Sequence, residues 1–296
     1  MLEIRVPATS ANMGPGYDCL GVALNMFNTF YVEEMESGLE IEGCEEEYKN
    51  ESNLVYRSMI KCFEKVGYRA KGVKIKIKGE IPRSRGLGSS ASCIVGGILA
   101  ANELSGGKLD RKEILELATE IEGHPDNVSP ALYGGMQVSI KEGSSVFNER
   151  IELPEGIKFC AVIPDFILST REARNILPNE VSHRDAAFNI GRASLLIAAL
   201  SRGNFDLLKA ACMDKIHESY RGSLIRNYYE IISASNYLNP AGVFLSGSGP
   251  TIMNIIKEED RSFVGDMENF LSTLKDKWIV KELKLCREGA LVRDIN

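Results

Sequence analysis

Residues 81–92 have the residue types and the spacing of a phosphate-binding loop. The segment reads Ile-Pro-Arg-Ser-Arg-Gly-Leu-Gly-Ser-Ser-Ala-Ser and precedes an apolar run that indicates a helix. Gly86 and Gly88 lack a Cβ, so the backbone there can approach a large anion closely. A glycine turn that leads into a helix directs unpaired N–H groups and the positive end of the helix dipole toward that anion. We therefore expect this loop to bind phosphate.

Two other phosphate-binding patterns are excluded for this segment. No lysine follows the glycines, as the pattern Gly-x-x-x-x-Gly-Lys-Ser/Thr requires. Position 91 is alanine and no further glycine occurs before Gly96, so the dinucleotide spacing Gly-x-Gly-x-x-Gly is absent as well. The alternative is an ordinary tight turn followed by a serine N-cap. Pro82 and the serines after the glycines favour phosphate binding over that alternative.

Three motifs, in the expected order along the chain, carry a family resemblance. Residues 82–91, Pro-x-x-x-Gly-Leu-Gly-Ser-Ser-Ala, resemble the phosphate loop of the GHMP kinases (galactose, homoserine, mevalonate and phosphomevalonate kinases). Residues 7–18, Pro-Ala-Thr-Ser-Ala-Asn-Met-Gly-Pro-Gly-Tyr-Asp, are similar to the N-terminal motif of the homoserine branch of that family. Residues 245–251, Leu-Ser-Gly-Ser-Gly-Pro-Thr, are similar to the C-terminal glycine motif. The resemblance spans almost the whole chain and implies an ATP-dependent kinase.

The resemblance implies ATP and Mg²⁺ as cofactors. A hydroxyl and a carboxylate would hold Mg²⁺, a cation that prefers oxygen ligands. By motif position these are Ser90 and Glu122, since Ala118 and Glu122 match the family's Ala-x-x-x-Glu pattern. We prefer Glu122 to Glu120, and the alternative is a surface glutamate on an amphipathic helix. The residues implied to bind ATP are Pro82, Arg83, Ser84, Arg85, Gly86, Leu87, Gly88, Ser89, Ser90, Ala91 and Ser92.

Residues 124–128, His-Pro-Asp-Asn-Val, bear on the catalytic mechanism. Mevalonate-type kinases place an aspartate, their proposed base, where this chain has Asn127. An asparagine cannot usefully accept a proton near neutral pH, although its carbonyl can hydrogen-bond a hydroxyl. Catalysis would then depend on positioning and charge stabilisation, which a loose phosphoryl-transfer transition state allows. His124 or Asp126 as the base is the competing mechanism. The residues assigned to catalysis are Asn127, Glu122 and His124.

An amino-acid acceptor would need partners for a carboxylate and for an ammonium group. Arginine guanidinium groups bind carboxylates bidentately. Residues 170–178 resemble the Thr-x-x-Ala-Arg-x-x-Leu-Pro motif of the homoserine branch, which puts Thr170 and Arg174 on one helix face. Arg221 is the second candidate, although position 226 is arginine where relatives can have proline. The residues expected to bind substrate are Asn12, Asp18, Asp126, Asn127, Thr170, Arg174, Arg221 and Gly247.

Within that set, Asp18 would bind the ammonium group and Asn12 the γ-hydroxyl or backbone polar groups. The implied reaction is phosphorylation of the L-homoserine hydroxyl to O-phospho-L-homoserine in threonine biosynthesis. The second hypothesis is another GHMP kinase that acts on mevalonate or a sugar. Asn127 and the Thr170–Arg174 pair argue against it. A non-catalytic sensor of nucleotide and metabolite is the third, and the intact glycine loop opposes it. Relatives are commonly dimers, so we expect a homodimer.

The composition restricts the other partners. The chain has 296 residues, with 35 Lys plus Arg, 41 Asp plus Glu and a net charge of -6. An acidic protein without a basic run is a poor candidate for binding nucleic acid or an anionic membrane. No stretch reaches the roughly 18 apolar residues of a transmembrane helix, and the N-terminus lacks a signal-peptide pattern. The seven cysteines include no Cys-x-x-Cys pair, which favours reduced thiols in a cytoplasmic protein over a zinc site.

Hydrophobic periodicity predicts the elements that must position these residues. Residues 53–66 have helical spacing, residues 73–78 alternate as a half-buried strand, and a helix from about 90 to 104 follows the loop. Asp110 and Glu113 have the spacing of a capping box. Further strands are expected at residues 31–35, 39–42, 158–163, 243–245 and 252–256, and further helices near residues 171–176, 183–201, 204–218 and 222–235.

Strands and helices mixed in two blocks indicate an α+β fold. Pro154-Glu155-Gly156 is the best linker signal, which predicts domains at residues 1–154 and 155–296. The resemblance implies the two-domain GHMP fold, in which a mixed-sheet N-terminal domain binds ATP, a ferredoxin-like C-terminal domain contributes to substrate binding, and the site lies between them. It also implies that the adenine binds near residues 53–55, a position that comes from the resemblance and not from residue spacing.

Overall fold

The computed structural model describes residues 1–295, which form two β-sheets with helices packed against them. The strands are β1 (Leu2–Ala11), β2 (Leu20–Met35), β3 (Gly38–Glu42), β4 (Gly72–Gly79), β5 (Met136–Glu142), β6 (Ser145–Ile151), β7 (Ile157–Pro164), β8 (Gly242–Leu245), β9 (Ile252–Lys257), β10 (Trp278–Leu283) and β11 (Leu291–Asp294). The helices are α1 (Leu54–Val66), α2 (Ser89–Leu104), α3 (Arg111–Glu122), α4 (Pro125–Tyr133), α5 (Thr170–Asn175), α6 (His183–Arg202), α7 (Leu208–Ala211), α8 (Glu218–Gly222), α9 (Tyr228–Leu238) and α10 (Phe263–Leu271). Short 3₁₀ helices cover Glu46–Tyr48 and Phe205–Leu207.

The larger sheet has seven strands in mixed directions, so the expected α+β class is confirmed. Its order is β11-β1-β2-β4-β3, and β5 pairs with both β2 and β6. β3 runs parallel to β4, whereas the other pairs are antiparallel. β2 is a continuous strand of 16 residues, so the short strand expected at residues 31–35 is the end of a longer one. The smaller sheet has the antiparallel order β10-β7-β9-β8.

Local signals set the ends of the helices around the glycine loop. The Asn53 side chain accepts the Val55 N–H at 2.9 Å and caps α1. The predicted capping box of α3 is present, with Asp110 and Glu113 joined by bonds of 2.8 and 2.9 Å in both directions. The strand predicted at residues 73–78 is confirmed as β4. α2 follows the loop and is buried along most of its length, which holds its N-terminus rigidly at the cleft.

The helix predicted at residues 204–218 is wrong, because the chain is not helical between α7 and α8. Asp214 is the cause, since its carboxylate accepts the N–H groups of residues 216, 217 and 218 at 3.1, 2.8 and 2.8 Å. A short acidic side chain that binds backbone N–H groups ends one helix and starts another. The helix predicted at residues 222–235 likewise begins only at Tyr228, after Asn227 in the left-handed region.

Apolar residues from both sheets share one buried core. Leu20 and Leu24 of β2 pack in the same cluster as Phe159 of β7 and Phe244 of β8. This shared core fixes the two sheets relative to each other, because close-packed interiors permit little relative movement. The groups that the two halves present to a common cleft therefore have defined positions.

The chain crosses from one sheet to the other between β6 and β7, where the domain boundary at residues 154–155 is expected. The last strand, β11, nevertheless pairs with β1 in the larger sheet. The division into residues 1–154 and 155–296 stays a prediction. The structure adds to it that the C-terminal strand returns to the sheet of the first half.

Candidate active site

A cleft of about 800 Å³ lies between the two halves of the chain. Its walls come from the β1–β2 connection, residues 43–54, the glycine loop before α2, the ends of α3 and α4, and α5. Arg221, Gly247 and Ser248 complete the wall on the C-terminal side. The halves meet here because the Gly247 N–H donates to the Ala11 carbonyl at 3.0 Å, which joins the turn after β8 to the end of β1.

The glycine loop has a backbone that requires glycine at two positions. Gly86 and Gly88 have φ values of 75° and 70°, in the left-handed region. A Cβ would overlap the Ser246 carbonyl at Gly86 and the Thr9 hydroxyl at Gly88. The Thr9 N–H also donates to the Leu87 carbonyl at 3.2 Å. Gly88 at the N-cap of α2 has no side chain to occupy the first N–H groups, so these are available to an anion.

The structure places most of the predicted ATP-binding residues in the cleft wall, but not all of them. Those in the wall are Arg83, Ser84, Arg85, Gly86, Leu87, Gly88, Ser89 and Ser90. Pro82, Ala91 and Ser92 lie outside it, and Ala91 and Ser92 are fully buried in the core. The Ser92 hydroxyl donates to the Ser89 carbonyl and accepts from the Asn28 amide, both at 2.8 Å. Ser92 therefore stabilises the start of α2 rather than facing the cleft.

The two arginines of the loop have protein partners. Arg83 lies over the Tyr48 ring at 4.2 Å and pairs with Glu45 at 2.7 Å. Arg85 donates to the Pro164 carbonyl at 3.1 Å and to the Arg83 carbonyl at 2.8 Å. Burial lowers the pKa of Arg85 below its usual value. Arg85 thus braces the loop against the second sheet, while Arg83 and Tyr48 form one side of the cleft.

Ser90 and Glu122 meet in the cleft wall, as their motif positions predict. The Ser90 hydroxyl donates to the Glu122 carboxylate at 2.7 Å. Burial raises the pKa of Glu122 above its usual value, against the opposite effects of Ser90 and His124. A cation beside this carboxylate would stabilise its charged form. A hydroxyl and a carboxylate are oxygen ligands of the kind Mg²⁺ prefers, so the donor set fits that ion.

A second group of potential ligands lies nearby. Single ligand atoms of Asp18, His124 and Asp126 are all within 4.8 Å of one another. A set with an imidazole nitrogen suits softer cations than Mg²⁺. Each member already has a protein partner, because His124 Nδ1 contacts Asp126 and Asp18 pairs with Arg174. These residues therefore form a polar, mutually paired group in the cleft wall.

Asn127 is held in place by a residue of the first strand. The Thr9 hydroxyl donates to Asn127 Oδ1 at 2.7 Å, and the Asn127 amide nitrogen lies 3.5 Å from Asp126. His124 contacts Asp126 through Nδ1. Burial lowers the pKa of His124, but the hydrogen bond to Asp126 outweighs it, so this pKa lies above its usual value. The structure thus brings the three polar residues of the His-Pro-Asp-Asn segment into one hydrogen-bonded group.

Arg174 and Asp18, expected to bind the carboxylate and the ammonium group of an amino-acid substrate, pair with each other. Nη1 and Nη2 of Arg174 donate to the two Asp18 oxygens at 3.1 and 2.9 Å. Nη1 also lies 3.2 Å from the Tyr17 hydroxyl, which can accept from it. The side chains are 34% and 32% exposed, so the pair is open to the cleft. One cationic and one anionic group side by side is an arrangement that complements a zwitterion.

Arg221 and Asn12 converge on one carbonyl. Arg221 is 1% exposed and donates to the Ala173 and Gly247 carbonyls, each at 3.1 Å. Burial lowers its pKa below the usual value. Asn12 donates to the Gly247 carbonyl at 2.8 Å and accepts the Asp18 N–H at 2.9 Å. Asn12 therefore binds backbone polar groups, the second of the two roles considered for it, and sets the position of Asp18.

Thr170 also lies in the cleft wall, 3.4 Å from the Ser248 hydroxyl. The sequence reasoning missed Thr9, Tyr17 and Tyr48. Thr9 and Tyr17 lie within the N-terminal motif, and that position could have identified them as site residues. Nothing in the sequence pattern marks Tyr48, because its role comes from its position beneath Arg83.

Comparison with known proteins agrees with this geometry. The family model for the GHMP kinases N terminal domain matches residues 53–135, and the model for the GHMP kinases C terminal matches residues 196–266. A homoserine kinase of Clostridium botulinum is 56% identical over 294 residues, which cover 99% of this chain and 99% of that protein. The chain belongs to the homoserine kinase branch of the GHMP kinases.

Other similar proteins lead to the same family. A homoserine kinase of Clostridium beijerinckii is 48% identical over 99% of this kinase and 98% of its own length. The crystal structure of homoserine kinase from Cytophaga hutchinsonii has a TM-score of 0.88 and 27% identity, and covers 99% of this chain and 97% of that one. The expected GHMP fold is confirmed. Among residues 1–295, no helix combines the length and the apolar character needed to cross a membrane.

Proposed function

We propose that this kinase transfers the γ-phosphate of ATP to the side-chain hydroxyl of L-homoserine, which yields ADP and O-phospho-L-homoserine for threonine biosynthesis. The observation that carries the proposal is the Arg174–Asp18 pair, which lies in the same cleft as the glycine loop. An alcohol substrate without charged groups would offer no ionic partner to either member of this pair. The full-length relatives of the chain carry the name of this activity.

The N-terminal half would bind the nucleotide. The N–H groups of the glycine loop and of the first turn of α2 face the triphosphate, where the helix dipole stabilises negative charge. Ser90 and Glu122 would hold Mg²⁺, which when bound neutralises phosphate charge. Because a Cβ at Gly86 or Gly88 would overlap the Ser246 carbonyl or the Thr9 hydroxyl, glycine at both positions lets the loop adopt the turn that directs its N–H groups toward the phosphates.

The amino-acid substrate would enter by exchange of ion pairs. Its carboxylate replaces Asp18 as the partner of Arg174, and its ammonium group replaces Arg174 as the partner of Asp18. The exchange leaves no charge unpaired, which limits the desolvation penalty of binding. Arg221 lies behind the pair, with its Cζ atom 5.1 Å from the Tyr17 ring, and adds positive potential for the carboxylate.

The reacting hydroxyl would be oriented by Asn127. Thr9 occupies the Asn127 carbonyl oxygen and fixes the direction of the amide. A loose phosphoryl-transfer transition state places little demand on a base, so positioning in line with the γ-phosphate supplies most of the catalysis. The Asp126 carboxylate contacts His124 Nδ1, and both residues line the cleft beside Asn127, where they shape the pocket.

We also propose that the kinase is a cytoplasmic homodimer. All seven cysteines are free thiols in the structure, which suits a reducing compartment. Burial raises the pKa of Cys62 to about 11 and that of Cys93 to about 12, so these thiols are poorly nucleophilic at neutral pH. Light scattering of the purified protein measures the oligomeric state, and a monomer at micromolar concentration would contradict the dimer.

The test of the activity is ADP release, coupled to a spectroscopic readout, with Mg-ATP and one of three acceptors. L-Homoserine, mevalonate and galactose are compared with a blank that lacks an acceptor. Turnover with L-homoserine alone is the expected result. Turnover only with mevalonate or galactose would leave the assignment to the kinase family valid and would refute the roles given to Arg174 and Asp18.

A further inference from the structure

His217 is a buried side chain beside the substrate site whose two ring nitrogens both have protein partners. It is 0% exposed and lies just before α8. Nε2 is 2.7 Å from the Gly14 carbonyl oxygen, and Nδ1 is 3.3 Å from Nη1 of Arg221. It does not line the cleft.

The chemistry of the partners determines which nitrogen carries the proton. A carbonyl oxygen only accepts, so Nε2 must be protonated to bind Gly14. A guanidinium group only donates, so Nδ1 must offer a lone pair to Arg221. Both contacts form together only in the neutral Nε2–H tautomer. A proton on Nδ1 would break the contact to Arg221 and place two cations side by side in a buried site.

Both partners of His217 belong to the substrate side of the cleft. Gly14 lies in the same connection as Tyr17 and Asp18, and Arg221 is one of the two arginines proposed for the carboxylate. We propose that His217 is a positioning residue, which accepts a hydrogen bond from Arg221 and so orients its guanidinium group for the substrate carboxylate. The bond to Gly14 holds the ring in the tautomer that this task requires. The inference rests on the proposed function.

The surroundings of His217 keep it in this state. Asp214 Oδ1 is 3.8 Å from Nε2, but Asn189 donates to that oxygen at 2.6 Å, and three backbone N–H groups occupy Oδ2. The Tyr17 ring covers the imidazole at a centroid distance of 5.3 Å. Asp214 therefore fixes the backbone that carries His217 rather than sharing a proton with the ring.

The electrostatic balance agrees with a neutral ring. Burial lowers the pKa of His217 below its usual value, Asp214 and Asp18 act to raise it, and Arg221 lowers it. These are the charged groups that face the ring from α8, from the segment before it and from the β1–β2 connection. As the pH falls below the usual range of histidine, protonation removes the lone pair that Arg221 needs. The KM for L-homoserine should then rise, with the KM for ATP unaffected by this step.

Two substitutions separate the two ring contacts. In His217→Asn the amide oxygen takes the place of Nδ1 and can accept from Arg221. In His217→Gln the amide reaches the place of Nε2 and can donate to Gly14, but nothing accepts from Arg221. We expect His217→Gln to raise the KM for L-homoserine about tenfold, because it removes a hydrogen bond to a charged group. His217→Asn should stay within about threefold of wild type, and the KM for ATP should change in neither variant.

The pH dependence of the KM for L-homoserine distinguishes a positioning role of His217 from a purely structural one. The ratio of the wild-type KM for L-homoserine to that of His217→Asn cancels the titration of groups that both proteins share, His124 included. Because the pKa of His217 lies below its usual value, this ratio should stay level near neutral pH and rise only once the pH falls below the usual range of histidine. A ratio that already rises at neutral pH, an equal loss in both variants, or a parallel rise in the KM for ATP would overturn the proposal.

A third measurement reads the wild-type protein directly and does not depend on activity. Nitrogen-15 NMR of the wild-type imidazole groups reports tautomers directly, and the chain has only 3 histidines. One ring should show the neutral Nε2–H tautomer at neutral pH, and its signals should be absent in His217→Asn. A charged or Nδ1–H ring at His217 would refute the inference. Wild-type protein without turnover of L-homoserine would instead refute the proposed function.

Discussion

Arg174 is hydrogen-bonded to Asp18 in the protein without substrate, yet it remains able to bind a ligand. Nη1 and Nη2 of its guanidinium group both donate to Asp18, but the pair is a third exposed and lies in the cleft wall. Partly exposed ion pairs contribute little net stability. A zwitterionic substrate that satisfies both members can therefore separate them at small cost, whereas a neutral ligand cannot.

Replacement of Arg174 tests this role. Arg174→Ala should raise the KM for L-homoserine about 100-fold, because a bidentate, charge-assisted interaction with the carboxylate is lost. The KM for ATP should stay near the wild-type value. Arg171→Ala is the matched control, since Arg171 is exposed on the same helix α5. Steady-state kinetics with each substrate varied in turn measure both constants, and an equal loss for ATP would contradict a carboxylate role.

The proposed absence of a general base can be tested at Asn127. Asn127→Asp should not give a faster enzyme, since the new carboxylate would lie beside Asp126, and the loose transition state gains little from a base. We expect kcat to stay level or to fall. The control is Asn148→Asp, an amide outside the cleft that is hydrogen-bonded between β5 and β6. A large increase in kcat for Asn127→Asp would show that a missing base limits the wild type.

At the scale of an element, the glycine loop and α2 act as one unit. The left-handed turns at Gly86 and Gly88 aim the N-terminus of α2 into the cleft, and β1 packs directly beneath them. The helix itself is buried by apolar residues along most of its length. Its orientation is therefore a property of the core, while its exposed first turn is free to bind an anion.

A single methyl group at Gly88 should disrupt this unit. Gly88→Ala places a Cβ on the Thr9 hydroxyl at a left-handed φ, so we expect a loss of ATP affinity of at least about tenfold. Gly191→Ala is the control, because Gly191 lies in α6 with open space around it. That change should stabilise the protein by about 0.5–1 kcal/mol. Calorimetric titration with Mg-ATP and thermal melting measure the two effects, and unchanged ATP binding in Gly88→Ala would refute the loop's role.

Helix α8 carries a carboxyl group whose titration should be visible in stability. Glu218 accepts the Leu245 N–H at 2.7 Å, and burial, together with Asp214, raises the pKa of Glu218 to about 8. A group with a raised folded-state pKa contributes stability below its unfolded pKa, and this contribution is lost as the pH rises through the folded value. The wild type should therefore lose stability between about pH 5 and 8 through this group.

Glu218→Gln tests that linkage, because glutamine keeps an acceptor for Leu245 and does not titrate. The melting temperature of Glu218→Gln relative to wild type should be higher at pH 8 than at pH 5, by several degrees. Glu230→Gln, at an exposed position of α9, should show no such dependence. A constant difference between Glu218→Gln and wild type across this range would contradict the sign of the shift.

At the scale of the whole molecule, the C-terminal segment closes the larger sheet. β11 pairs with β1 over residues 291–294, and the Ala290 N–H donates to the Leu132 carbonyl at 3.2 Å. Gly289 approaches Gly134 so closely that neither position has room for a Cβ. The segment thus contacts both β1 and the end of α4, the two elements that carry Thr9 and Asn127.

Removal of residues 288–296 should lower the free energy of unfolding and also lower kcat, since β1 would lose a neighbour and α4 a backbone contact. Removal of residues 295–296 alone is the control and should lower both quantities less, because it spares the β1–β11 pairing and breaks the Ile295 N–H bond to the Met1 carbonyl. Urea unfolding and ADP release measure the two consequences. A truncated protein with wild-type stability would show that β11 is dispensable for the sheet.

The sequence by itself determined the features that depend on short segments. The glycine loop, the helix after it and the capping box of Asp110 follow from local spacing, whereas Ser90 and Glu122, which are 32 residues apart, were implied only by their positions in the family motifs. The first three predictions hold because a turn, a cap or a helix face is set by residues within a few positions of one another. The helix predicted across residues 204–218 failed for a related reason. The hydrophobic periodicity of that segment does not include the backbone hydrogen bonds that the Asp214 side chain makes.

Tertiary structure alone decided which distant groups touch. Arg174 meets Asp18, Thr9 meets Asn127, and His217 lies between Gly14 and Arg221. Motifs named several of these residues but gave no distances between them. The return of β11 to β1 had no sequence signal either. Apart from the His217–Arg221 contact, which spans four residues, these contacts join segments more than a hundred residues apart. Their geometry arises from how the two sheets pack around their shared core, which no local pattern encodes.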